Sequence, residues 1–211
     1  MGEELLEEFI KNKVKVKKNL CKKLSFEHDM PLIGLVIDKE LADSHRNSIE
    51  RFLEGTGALD VEIVVVADTN LDSFSFPHVH YVPYNEKSRK ELMQASDIMV
   101  AMPFNDLEEM FLNGVVPISH EREGAMNYDP NQESGNSFVY SAVDIGENGV
   151  SDTRSCNRMN LSEVCESNSS VDAHWKIFAA LVRALETFKF PYDWKNIINS
   201  CLESVHQKKG D

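Results

Sequence analysis

The sequence predicts an α/β fold: a doubly wound, mostly parallel, Rossmann-like sheet with helices on both faces. Three observations carry this reading. The run LIGLVID (Leu32 to Asp38) is continuously apolar up to its final Asp, and VEIVVVAD (Val61 to Asp68) is apolar apart from Glu62 and Asp68. That is the mark of strands buried on both faces, as parallel sheets require. Segments of helical apolar spacing alternate with such runs along the chain. A length of 211 residues with 42% hydrophobic content suits one domain around one core.

The elements follow in order. Residues 3 to 24 place Leu5, Leu6, Phe9, Ile10, Val14, Val16, Leu20 and Leu24 at roughly helical spacing. After SFEHDMP comes the strand from Leu32, and a helix over Ala42 to Glu54 is stopped by GTG. Val61 to Asp68 is the second strand, and VHYVPY (Val79 to Tyr84) is a weaker third. A helix over Ser88 to Ala95 leads into the strand DIMVAMP. Leu107 to Leu112 is a short helix closed by Asn113 and Gly114, and VVPISH is the next strand. SFVYSAVDI (Ser137 to Ile145) is a last strand or turn, and Trp175 to Phe188 and Tyr192 to Val205 are amphipathic helices. The stretch Gly146 to Ala173 is polar, rich in Ser and Asn, and lacks an apolar period. It reads as an insertion or surface loop outside the core. The core itself is expected to hold Ile33, Leu35, Val36, Ile63, Val65, Ile98, Val100, Val116, Ile118, Phe178 and Leu181.

A net charge of −13 repels phosphate backbones and anionic lipid surfaces. No run of about 18 apolar residues exists to span a bilayer. Neither nucleic acid nor membrane is an expected partner. The cluster KNKVKVKKNLCKK (Lys11 to Lys23) is the local exception. Without interleaved aromatics it reads as a solvated helix face rather than a nucleic-acid arm. The acidic N-terminus is no secretory signal, so a cytoplasmic protein with reduced thiols is expected. The four cysteines lack metal-site spacing, although Cys156 and Cys165 are close enough to bridge.

The stretches NLCKKLSFEHDMPLIGLV, YNEKSRKELMQASDIMVAMP, NGVVPI, NYDPNQESGNSFVYSAVD and FAALVRALETFKFPYDWKNII occur in a telling order. Together they resemble the C-terminal half of bacterial glycogen synthases and plant starch synthases. The resemblance implies a GT-B glycosyltransferase half, which in that family binds the nucleotide of a nucleoside diphosphate glucose. It implies a vestigial substrate site at Asp38, Lys39, Phe104, Asn105, His120 and Gly124.

The departures from the family pattern fall on the donor site. The family's first strand ends close to S-R-L-x-x-Q-K-G, whose arginine and lysine neutralise the diphosphate. Here the aligned segment is IDKELADS: Asp38 stands for the arginine, Asp43 for the lysine and Ser44 for the glycine. A carboxylate beside a diphosphate is repulsive unless a metal bridges them. Lys39, His45 and Arg46 could compensate only through a shift in register. The family's S-R-F-E-P-C-G-L is replaced by the shorter MPFNDLEEMF, where Glu108 and Glu109 read as a solvated helix face. The family's T-G-G-L becomes HEREGAMN, with Gly124 alone standing for the glycine pair.

Other constellations are weaker. Asp38 and Asp68 could share a cation but read more simply as helix-capping acids. His78 and His80 lack a third ligand. Met102, Phe104, Met110, Phe111 and Met126 gather near one sheet end, as an interface or as filling for the shortened loop. The sequence thus points to a catalytically degenerate half-domain acting in binding or regulation, with no cofactor and no metal. The alternative is the donor-binding component of a two-chain glucosyltransferase. Partners in view are a nucleotide sugar or a glucan, a second copy, or a separate GT-B N-terminal half.

Overall fold

Every residue of strand β1 (Leu32–Ile37) is buried, and β2 (Glu62–Ala67) is buried from Ile63 onward. Strands with no polar face can only form where both sides are covered, which explains their unbroken apolar sequences. The structure is a computed structural model and describes residues 2–26, 29–69, 75–101, 106–140 and 162–208, the side chains of 162–173 and 206–208 aside. Around β1 and β2 lie β3 (Val79–Pro83), β4 (Ile98–Val100), β5 (Val116–His120) and β6 (Phe138–Tyr140). They form one sheet in the order β3-β2-β1-β4-β5-β6, and every pairing is parallel. The strand order reverses between β1 and β4, which is where ligands sit in open α/β sheets.

The helices are α1 (Glu3–Leu24), α2 (Lys39–Thr56), α3 (Glu86–Ala95), α4 (Leu107–Leu112), α5 (Ser162–Phe188) and α6 (Pro191–Lys208). α2 packs on α5, α1 on α3, and α4 on α6. α3 starts in a capping box, in which the Asn85 side chain accepts from Ser88 N and the Ser88 hydroxyl accepts from Asn85 N. Its far end comes so close to β1 that an added Cβ at Gly34 would lie 2.5 Å from Ser96 Oγ. Only glycine permits that approach. All the expected core residues are buried except Phe178, which is half-buried and lies against Gly55. Each fully buried Leu or Ile contributes about 1.5–3 kcal/mol of apolar transfer.

Two expectations change. The lysine cluster is not simply a solvated face: Lys13 and Lys17 are buried, while Lys11, Lys15, Lys18, Lys22 and Lys23 are exposed. Lys17 Nζ donates to Asp97 Oδ2 at 2.6 Å and Lys13 Nζ to the Asn113 carbonyl at 2.9 Å. Apolar spacing could not reveal this, because lysine stems bury while their heads reach for distant acceptors. The second change concerns α5, which begins at Ser162 rather than near Trp175, so part of the polar stretch is helical. Its Ser- and Asn-rich sequence carries no apolar stripe to announce a helix. The rest of that stretch, 146–161, lies outside the described residues.

Candidate functional site

The switch point opens at the carboxyl end of β1, where Asp38 is half-buried and serves as N-cap of α2. Its Oδ1 accepts from Leu41 N at 2.7 Å, so the carboxylate is committed to the helix start. Beyond it Lys39, Glu40, Asp43 and Ser44 line a shallow hollow of about 650 Å³. The Ser44 hydroxyl turns back on its own helix, donating to the Glu40 carbonyl at 2.7 Å. One residue later His45 leaves helical geometry (φ −124°, ψ 23°) and kinks α2. Lys39, His45 and Arg46 are all exposed, so no register shift has brought a cation inward. The hollow is lined by two carboxylates and one ammonium.

A second group of residues stands at the carboxyl ends of β5 and β6, two and three strands from β1. Their last residues, His120 and Tyr140, are register partners with ring centroids 6.4 Å apart. Beside them Arg122 is half-buried, and burial pushes its guanidinium below the usual arginine range while Tyr140 and Asp106 favour the charged form. Tyr140 is pushed up by burial and pulled back by Arg122. Sequence reasoning passed over Arg122; its place two residues past a strand end was the available signal. Gly124 takes φ +84°, a backbone turn that favours glycine. Its carbonyl accepts from Asn136 Nδ2 at 3.0 Å. Asn136 also accepts from Met126 N at 2.8 Å and donates to Ser204 Oγ at 2.9 Å, tying this loop to α6.

The remaining candidates separate. Phe104 and Asn105, with Met102, lie outside the described residues. Glu109 does not form a solvated face: both its oxygens accept from the Arg89 guanidinium of α3. Asp106 caps α4 by accepting from Glu108 N at 2.9 Å. Asp68 is exposed at the end of β2. Among the described residues no three His, Cys, Asp or Glu side chains converge as a metal site. His78 Nε2 lies 3.0 Å from Thr56 Oγ1, while His80 stands edge-on to Phe26 at 4.0 Å, so the two histidines serve different neighbours. Met110 and Phe111 are core residues, which removes them from any surface cluster and leaves Met126 exposed. They pack where α4 meets α6. Cys21 and Cys201 are buried free thiols; Cys156 lies outside the described residues.

No family model matches the chain, and no curated protein matches it by sequence. Solved structures do. The catalytic domain of starch synthase IV from Arabidopsis thaliana, solved with ADP and acarbose, is similar at 15% identity and a TM-score of 0.62. That match covers 94% of this chain and 41% of the starch synthase chain. WaaG, a glycosyltransferase involved in lipopolysaccharide biosynthesis, is similar at 15% identity and a TM-score of 0.53, over 93% of this chain and 50% of WaaG. The fold is the one found in GT-B glycosyltransferases. The chain spans half or less of the length of these relatives. No helix among the described residues is long and apolar enough to cross a membrane.

Proposed function

We propose that this chain is a glycogen- and starch-synthase-like half-domain that no longer transfers glucose and acts in binding or regulation. The supporting observation is the charge at the switch point: Asp38 caps α2, and Glu40 and Asp43 line the hollow where a diphosphate would sit. Like charges about 4 Å apart near a protein surface repel by about 4 kcal/mol at an effective dielectric constant of 20. Lys39 is the one cation lining that hollow and is outnumbered by Glu40 and Asp43, so the charge developing at the glycosyl oxygen, whose offset is a major catalytic contribution, gains little net compensation here. A neutral glucan meets no such repulsion, since carboxylates accept hydrogen bonds from sugar hydroxyls. The test is ADP release from ADP-glucose with glycogen as acceptor. The account expects none above background, and sustained release that scales with protein concentration overturns it.

A second reading draws on Arg122. A half-buried guanidinium at the carboxyl end of β5 could hold a donor phosphate and make the chain the donor-binding component of a two-chain glucosyltransferase. That reading predicts ADP-glucose binding that Arg122→Ala weakens at least about tenfold, the loss of one charge-assisted contact.

A further inference from the structure

We draw no further inference here: the strongest candidate, the row of exposed lysines Lys11, Lys15, Lys18 and Lys22 along the outer face of α1, carries nothing because no feature of the structure shows what covers it, and its charges suit any anionic surface equally.

Discussion

Lys17 Nζ lies 2.6 Å from Asp97 Oδ2, and the same oxygen accepts from Leu32 N at 2.9 Å. One carboxylate therefore joins α1, the entry to β1 and the entry to β4. Both ion-pair side chains are nearly buried, at 9% and 13% exposure. Removing one member of such a pair leaves the other charge desolvated and unpaired.

Asp97→Ala should accordingly lower stability by about 3 kcal/mol, a fall of roughly 6–12 °C in Tm for a domain of this size. Chemical and thermal unfolding of the variant measure it. Lys17→Met should cost less, because Asp97 keeps its bond to Leu32 N and the methionine stem refills the space.

Lys13 supplies a pH test. Burial lowers its pKa from 10.5 to about 8, with Asp97 and Cys201 partly opposing that shift. Above pH 8 the folded chain gives up this proton while the unfolded chain keeps it, so the Lys13 contribution to stability rises with pH. The buried thiols of Cys21 and Cys201, both raised by burial, act in the opposite sense above the ordinary thiol range. Comparison with Lys13→Met isolates the lysine. Wild type should gain about 1 kcal/mol on the variant between about pH 8 and pH 9. A constant difference across that window would contradict the assignment.

Phe111 is 4% exposed and packs in the core. Phe111→Ser should cost about 3–5 kcal/mol and show as lost stability in urea, not as a change of oligomeric state. A fully stable, newly monomeric variant would restore Phe111 to an interface.

How much of this was legible in the sequence follows from which forces are local. β1 and β2 showed themselves because strands buried on both faces must be apolar throughout. α4 was placed by the apolar residues of LEEMFL and by the Asn113-Gly114 stop. The acids at the switch point were visible as Asp38 and Asp43, because their positions follow from strand order alone. What the sequence hid was long-range pairing. Lys13 finds a carbonyl 100 residues away, and Lys17 an acid 80 residues away. Glu109 is held by Arg89 across α3 and α4, and Arg122 reaches its place only once β5 and β6 align. Such partners have no signature in local periodicity.

The claim at the centre of this account is that carboxylates at the end of β1 keep a nucleoside diphosphate out. Calorimetric titration of the full chain with ADP-glucose and with UDP-glucose measures this most directly. The account predicts no saturable heat up to about 1 mM ligand, a binding free energy weaker than about −4 kcal/mol. A dissociation constant in the micromolar range for either nucleotide sugar would contradict it.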